Sequence, residues 1–196
     1  MSTVLDWLDS RHCPLALLDA TPSGAPLYTS LGFTDYDETV LYGSADDVPG
    51  PIEHVAAVQP LAVRDLEKVL AFDRAEFGAD RSAALGSLIA ANQGRTFVSR
   101  SSQDGVDGYV LASERRVGPL LAADEQVAAA LLSTALALPF AEPPQVIGPA
   151  ANRALPRLLG RHGLVEQRRL RHMGRGSGPH PCRRAHIYGQ ASFALG

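Results

Sequence analysis

The chain has 196 residues, of which 45% are hydrophobic and 20% are charged, and its formal net charge is −3. This composition is typical of a globular protein with one domain, or one domain and a fragment of another. No apolar run approaches the ~20 residues of a membrane span, and the N-terminus lacks the basic and apolar regions of a signal peptide. We therefore expect a cytoplasmic protein without a membrane partner.

Two helices and two strands are predicted in residues 1–45. TVLDWLDSRH has apolar residues at helical spacing and is stopped by Pro14. LALLDAT predicts a buried strand, and a turn follows from Thr21 to Gly24. APLYTSL predicts a helix that ends at Gly32, and FTDYDETVLYG predicts a strand. The Gly, Pro and Asp content of the next stretch predicts a linker at residues 46–54.

A second, longer unit is predicted at residues 55–196. Its pattern indicates a strand, two helices, three strands, a helix, a strand, a helix and two strands. The segments are, in order, VAAVQPL, AVRDLEKVLAFDRAEFG, SAALGSLIAANQG, RTFVSR, GYVLASER, VGPLLA, DEQVAAALLSTALAL, PQVIGPA, NRALPRLLGRHG, LVEQRRLRHM and HIYGQASFAL. Leu66, Val69, Leu70 and Phe77 share one face of the first helix. This order predicts a mixed α/β (α+β) sheet fold.

Charge is distributed unevenly along the chain. Residues 1–60 contain nine acids and only Arg11, whereas residues 161–186 contain seven arginines and only Glu166. A basic segment can bind nucleic acid, form a solvated face, or meet the acidic segment of its own or a second chain. No aromatic residue interleaves the arginines, so nucleic acid is not expected as a partner.

The two cysteines, Cys13 and Cys182, are expected to be unpaired structural residues. A metal site would recruit His12, His180 or His186, but the sequence has no CxxC or HxxxH pair. We therefore predict no metal site.

The ends of the two units share one spacing. After an apolar strand, the first unit has Thr21, Gly24, Tyr28, Gly32 and Phe33. The second unit has Asn152, Leu155, Leu159, Gly163 and Leu164 at identical intervals, again between a strand and a strand-like segment. This repeated strand–turn–helix–strand context indicates an internal duplication.

The element order and the segment LDATPSGAPLYTSLGF resemble the GNAT superfamily of acetyl-CoA-dependent N-acetyltransferases. In that family a strand leads into a helix that ends in Tyr-x-x-x-Gly-Phe, which matches Tyr28, Gly32 and Phe33. Many members have Asn where this chain has Thr21, and Ser23 is a candidate cap instead. Residues 55–196 follow the order of a whole GNAT-like domain, whereas residues 1–45 resemble the last third of one. The resemblance therefore implies an N-terminally truncated tandem-domain protein.

The resemblance also implies a site. Tyr28 would lie beside the coenzyme A sulfur and donate a proton to the departing thiolate, as a hydroxyl that is protonated at neutral pH can do. Thr21, Ser23, Gly24 and Leu27 would contact acetyl-CoA, and the acceptor would be an amine of a small molecule or a peptide. The alternative is that Tyr28 is an amphipathic helix residue with a buried ring and a solvated hydroxyl.

The family's strongest signature, a loop of Gln or Arg followed by x-x-Gly-x-Gly or Ala between a strand and a helix, is not found where it is expected. Backbone N–H groups of that loop hold the coenzyme pyrophosphate. In the first unit the loop would precede Met1, and in the second unit the junction is VGPLLAADEQVAAALL, where Asp124 and Glu125 would repel phosphate. RHMGRG (171–176) matches the loop literally, but the prolines that follow it forbid the required helix.

Two functions therefore stay open. The first is a tandem N-acetyltransferase with Tyr28 as its general acid. The second is a non-catalytic, degenerate GNAT-fold protein that binds a ligand or forms a dimer, because Leu159 replaces the tyrosine in the second unit.

A further candidate is the C-terminal carboxylate of Gly196, which would position or deprotonate an amine. The first fragment is too small to fold alone and must dock on the second unit or on another chain.

Overall fold

The structure is a computed structural model that describes residues 2–44, 58–101, 105–177 and 183–193. Its helices are α1 (Ser2–Ser10), α2 (Ala25–Ser30), α3 (Leu66–Phe77), α4 (Ser82–Ala91), α5 (Glu125–Leu136) and α6 (Leu155–Gly160). Its strands are β1 (Leu15–Ala20), β2 (Thr34–Ser44), β3 (Val58–Pro60), β4 (Thr96–Arg100), β5 (Val106–Ala112), β6 (Val117–Ala122), β7 (Val146–Pro149), β8 (Leu164–Gly176) and β9 (Ile187–Gly189). The predicted order of elements is confirmed for these residues. The predicted linker at 46–54, Cys182, His180 and Gly196 lie outside them.

Two antiparallel sheets make up the fold. The five-stranded sheet has the order β3-β4-β5-β6-β9, and the four-stranded sheet has the order β1-β8-β2-β7. The sheets meet where β6 and β7 begin side by side, because Arg116 forms a parallel bridge with Gln145. The mixed α/β fold class predicted from the sequence is thus confirmed.

Strands of the two predicted units alternate within the four-stranded sheet. β2 lies between β7 and β8, and β8 lies between β1 and β2. Thr39 faces Leu170 in the middle of the β2–β8 pairing. These two residues follow Gly32 and Gly163 by the same interval, so the sheet has an approximate internal two-fold axis that exchanges β1–α2–β2 with β7–α6–β8. The first segment is therefore docked on the second unit, which was one of its two predicted positions.

Side chains of adjacent residues divide the core into layers. Val110 and Leu120 pack with α5 and α6, whereas Tyr109 and Leu121 pack with α3 and α4 on the opposite face. This alternation follows from the period of two residues along each strand. A third cluster joins α1 and α2 to β1 and β8, with Met173 fully buried at its centre.

Arginines of the basic segment pair with acids of the first 60 residues. The pair between Arg184 and Asp37 is mostly buried, with 2.6 Å between Nε and Oδ2. The other pairs are more exposed and each contributes little to stability; they are Arg169–Glu38, Arg171–Asp35 and Arg175–Asp9. Of the predicted partners of the basic segment, the acidic segment of its own chain is the one observed.

No helix within the described ranges is long and apolar enough to cross a membrane.

Candidate functional site

The turn from β1 into α2 is organised by Thr21. Its carbonyl oxygen accepts the N–H groups of Gly24 and Ala25 at 3.0 and 2.9 Å, and its Oγ1 lies 3.1 Å from the Gly24 nitrogen. The Ser23 hydroxyl bonds to Thr21 Oγ1 at 3.1 Å and makes no cap bond to the helix. The prediction that Ser23 caps α2 was therefore wrong, because the side chain that bonds to the turn is that of Thr21, which accepts the N–H of Gly24 three residues ahead. Gly32 ends α2 with φ = +86°, as predicted for a helix-stopping glycine.

Tyr28 is half-buried on α2 and packs with its ring edge against Phe33. The two ring centroids lie 5.8 Å apart, in a T-shaped arrangement that aromatic pairs favour. The ring also reaches back toward the turn, since a Cβ at Gly24 would stand 3.6 Å from Tyr28 Cε2. Within the part of the chain that the structure describes, its hydroxyl has no hydrogen-bond partner. The ring is thus fixed by packing while the hydroxyl stays available to a ligand.

The predicted contact residues lie together at the start of α2. Leu27 exposes 56% of its surface, and Ser23 is exposed beside it. The N–H groups of Gly24, Ala25 and Leu27 all donate within the chain, and Pro26 has no N–H group. This surface therefore offers a hydroxyl and an apolar side chain, and the N–H groups of Gly24, Ala25 and Leu27 are already used within the chain.

The equivalent turn in the second unit is closed and apolar. Asn152 is buried, accepts the Ala154 N–H at 3.1 Å and donates its Nδ2–H to the Ile187 carbonyl at 3.0 Å. Leu159, which stands in the place of Tyr28, is fully buried in the main core. The second turn therefore anchors β9 and fills the core, and it presents no reactive group.

The N-terminus of α5 is occupied by the chain's own acids. Asp124 Oδ1 accepts the Val127 N–H at 2.9 Å as the N-cap. Glu125 binds Arg157 through both oxygens at 2.6 and 2.7 Å. Asp124 and Glu125 therefore lie at the junction between β6 and α5, as the sequence predicted. This is the junction where the resemblance implies a phosphate-binding loop.

The opening between β6 and β7 is filled by β9. The two strands are parallel where they begin and then diverge, and β9 pairs with β6 through Leu120 and Leu121. The Gln190 N–H donates to the Ile147 carbonyl of β7 at 2.7 Å. A crevice between diverging parallel strands is a common ligand site in α/β sheets, but here the chain itself occupies it. Sequence patterns gave no signal for this insertion.

Two buried polar clusters were missed by the sequence analysis. Asp73 is 2% exposed and accepts hydrogen bonds from Arg81 and from the Tyr109 hydroxyl. Burial raises the pKa of Tyr109 well above its usual value, so its hydroxyl remains a donor. A signal existed, because Asp73 lies on the apolar face of α3, four residues from both Val69 and Phe77. An acid in such a position indicates a buried partner.

The second cluster joins β1, β2 and β8. Asp19 Oδ1 accepts a hydrogen bond from the Thr39 hydroxyl at 2.6 Å and lies 2.9 Å from His172 Nδ1. The side chains of Asp19 and His172 are 4% and 8% exposed. Asp19 is the only polar residue of β1. A single acid in an otherwise apolar strand was the sequence signal for a buried, hydrogen-bonded carboxylate.

RHMGRG (171–176) lies inside β8, which supports its rejection as a phosphate loop. Among the described residues, no group of three or more His, Cys, Asp or Glu side chains is arranged to hold a metal ion. Cys13 is exposed as a free thiol.

Comparison with known proteins gives a family and a fold. A sequence profile of the acetyltransferase (GNAT) domain matches residues 69–189. A Pyrococcus horikoshii structure described as a "putative acetyltransferase" has 23% identity and a TM-score of 0.81, covering 100% of this chain and 64% of that one. A GCN5-related N-acetyltransferase of Sphaerobacter thermophilus has 13% identity and a TM-score of 0.65, covering 91% of this chain and 68% of that one. No curated protein matches the sequence.

Proposed function

Because the chain belongs to the acetyltransferase (GNAT) domain family, we propose that it functions as an N-acetyltransferase. The donor is acetyl-CoA, and the acceptor is an amine of a small molecule or a peptide. Tyr28 is the proposed general acid. The observation that carries this assignment is the half-buried Tyr28, whose ring is fixed against Phe33 while its hydroxyl has no partner in the described ranges.

The coenzyme contacts proposed for this site are Thr21, Ser23, Gly24 and Leu27. The exposed Leu27 side chain would be covered by the apolar part of the coenzyme arm, which removes apolar surface from water. The hydroxyl oxygens of Thr21 and Ser23 lie 3.1 Å apart. This pair would donate a hydrogen bond to an amide carbonyl of that arm, or accept one from its N–H. Gly24 leaves the space between Thr21 and the Tyr28 ring unfilled, since a Cβ there would lie 3.2 Å from Thr21 Oγ1 and 3.6 Å from Tyr28 Cε2. These residues fit the thiol end of the coenzyme, and the pyrophosphate would be held elsewhere.

Acetyl-CoA supplies an activated acetyl group that an amine nitrogen can attack. As the C–N bond forms and the C–S bond breaks, the Tyr28 hydroxyl would protonate the departing sulfur, and the proton released by the amine would pass to solvent, from which Tyr28 is reprotonated. A tyrosine hydroxyl is protonated at neutral pH and is a suitable donor to a thiolate. Packing against Phe33 restricts the ring, so little reorganisation would be needed for the transfer.

We further propose that the chain derives from a tandem-domain enzyme whose second unit has lost its coenzyme site. The equivalent placement of β1–α2–β2 and β7–α6–β8 about the internal two-fold axis supports a duplication. Three features argue against coenzyme binding in the second unit: the Asp124 cap, the insertion of β9 and the buried Leu159. The same features favour a second candidate function, a non-catalytic protein that binds a ligand or forms a dimer.

Calorimetric titration with acetyl-CoA and a turnover assay would test the proposal. Turnover is followed as coenzyme A release with a panel of small amines and peptide N-termini. Release is measured by chromatography, because the exposed Cys13 would react with thiol reagents. Tyr28→Phe removes only the hydroxyl, and Tyr36→Phe is the matched control on β2. We expect Tyr28→Phe to lower turnover by roughly 10²- to 10⁴-fold without weakening coenzyme binding.

The outcomes separate the two functions. Equal turnover of the wild type and Tyr28→Phe would remove Tyr28 from the mechanism. A dissociation constant for acetyl-CoA weaker than about 100 μM, or roughly −5.5 kcal/mol, together with no coenzyme A release, would favour the non-catalytic function.

A further inference from the structure

Arg116 is a partly buried cation that has no acidic partner among the described residues. It lies directly before β6, and its neighbour Arg115, rather than Arg116 itself, binds Glu142. The Nε of Arg116 is buried without a hydrogen bond, and its Nη1 donates to the Ala191 carbonyl at 3.4 Å, which is long for such a bond. Burial and the adjacent Arg115 lower the pKa of Arg116. The guanidinium therefore lacks the interactions that usually offset the burial of a charge.

Other partly buried arginines of this chain have such interactions. Arg81 and Arg184 bind carboxylates at 2.8 and 2.6 Å. Arg95 donates to three backbone carbonyl groups at 3.0 to 3.1 Å. Because buried polar groups are normally satisfied, the exception at Arg116 indicates a place for an anion that the described residues do not supply.

An apolar pocket lies beside Arg116 on the same side of the sheet. Val117 packs toward α5 and α6, so the alternation along the strand directs Arg116 to the opposite side, where α4 lies. The Ala191 residue that Arg116 contacts also lines the pocket. The other lining residues belong to β6, to α4 and to the N-cap of α4; they are Pro119, Ala84, Leu85, Leu88 and Arg81.

The chemistry of the pocket and of the guanidinium defines a class of ligand. The aliphatic walls would remove an alkyl group from water, and the charge of Arg81 is already compensated by Asp73. The Nε–H and Nη–H groups of a guanidinium match the two oxygens of a carboxylate. The pocket has a volume of about 190 Å³, including the part open to solvent, which is less than the roughly 300–1,000 Å³ of pockets for drug-sized ligands. A short alkyl chain fits this space better than a large ring system.

We propose that the second unit binds a short aliphatic carboxylate, with its carboxylate on Arg116 and its alkyl chain between α4 and Pro119. The negative charge offsets that of Arg116, and a carboxylate oxygen accepts the N–H of the unpaired Nε. The ligand contacts α4, β6 and the segment after β9, so its binding stabilises the folded state that holds these elements together. None of the residues proposed for acetyl transfer lies in this site, and the proposal is therefore independent of the proposed catalytic activity.

Calorimetric titration and thermal melts of the whole chain with sodium butyrate test the proposal. Butyramide has the same alkyl chain without the charge, and inorganic phosphate and sodium chloride supply anions without the alkyl chain. We expect a dissociation constant of about 1 mM for butyrate, because a ligand of few atoms gains limited free energy. At about 10 mM, butyrate should raise the melting temperature, and the three control compounds should not. The proposal is overturned if butyrate has no effect, or if butyramide or phosphate has an equal effect.

Two matched pairs of variants locate the site. Arg116→Gln removes the proposed partner of the carboxylate and should raise the dissociation constant about tenfold or more, whereas Arg115→Gln, at a side chain 69% exposed, should leave it unchanged. Ala84→Leu fills the pocket and should abolish binding, whereas Ala83→Leu, at an exposed position of the same helix, should not. Wild-type affinity in Arg116→Gln or Ala84→Leu would contradict the assigned site.

The stability of Arg116→Gln without ligand separates binding from packing. The substitution removes a buried charge that has no partner, so the free energy of unfolding should stay unchanged or rise. A marked fall would show that Arg116 serves the packing of β6 against Ala191, and it would overturn the inference of a vacant anion site.

Discussion

Removal of the Asp73 carboxylate is expected to destabilise the packing of α3 and α4 on β5. Arg81 donates to this carboxylate through Nη2 and Nε at 2.8 and 3.0 Å, and the Tyr109 hydroxyl donates to the same group. Burial lowers the pKa of Arg81 and its bonds to Asp73 raise it, with a net increase. Removal of Asp73 therefore takes away the main interaction that offsets the burial of the arginine charge.

The size of the effect follows from burial. In Asp73→Ala the Arg81 side chain, which is 11% exposed, and the fully buried Tyr109 hydroxyl would both lose the carboxylate that accepts from them. Breaking a buried ion pair from one side costs about 3–5 kcal/mol of the free energy of unfolding. Tyr109→Phe removes one donor to a charged acceptor and leaves the ion pair, so it should cost about 1.5–3 kcal/mol.

Urea denaturation at equilibrium measures these differences. Asp73→Ala, Tyr109→Phe and the double variant form a cycle whose coupling energy isolates the bond between the two residues. Arg74→Ala, which breaks the exposed pair with Asp80, is the control and should leave the midpoint unchanged within error. The reasoning is refuted if Asp73→Ala costs less than about 1 kcal/mol, well below the range for a buried pair.

Three further predictions concern stability. Gly118→Ala should lower the melting temperature, because φ is +148° and the new Cβ would lie 2.3 Å from the Gln190 carbonyl oxygen; an unchanged melt would contradict the tight β6–β9 packing. Gly163→Ala should lower the free energy of unfolding by about 1–2 kcal/mol, because Gly163 has φ = +70°. Gly160→Ala should leave it unchanged or raise it, because a Cβ there meets open space. Equal effects of the two substitutions would refute the argument from backbone conformation. Burial and the neighbouring Arg161 lower the pKa of His162 below 6.5, so on acidification the unfolded state binds the proton before the folded state does. The free energy of unfolding should therefore fall as the pH drops below about 6.5. Thermal melts at pH 7.5 and 5.5 should show a smaller loss of stability for His162→Gln than for the wild type.

The local elements could be predicted from the sequence because their signals are local. Gly32 stops α2 with a positive φ, as the sequence indicated, and Gly163 in the equivalent turn also has a positive φ. The alternation of Tyr109 and Val110 between two core layers follows from strand periodicity. The family expected from the order of elements was confirmed by a match over residues 69–189, a range that does not include Tyr28 or Gly32.

The arrangement of strands could not be predicted in the same way. Periodicity gives the face of a strand but not its neighbours, so nothing in residues 34–44 indicates that β2 lies between β7 and β8. The insertion of β9 depends on the Gln190 and Asn152 bonds, which join distant parts of the chain. Thr21 was passed over as the organiser of the α2 turn because its hydroxyl reaches three residues forward to Gly24.

The alternation of β2 and β8 imposes an order on synthesis. β2 is complete at Ser44, but β8, its neighbour on one side, begins only at Leu164. At ribosomal rates of about 5–20 residues per second, the intervening chain takes roughly 6–24 seconds to emerge. During this interval β1 has no partner strand, and β2 lacks both of its neighbours until β7 begins at Val146. The first 44 residues are therefore a candidate substrate for chaperones on the ribosome, and a ribosome stalled before residue 146 would display them unpaired.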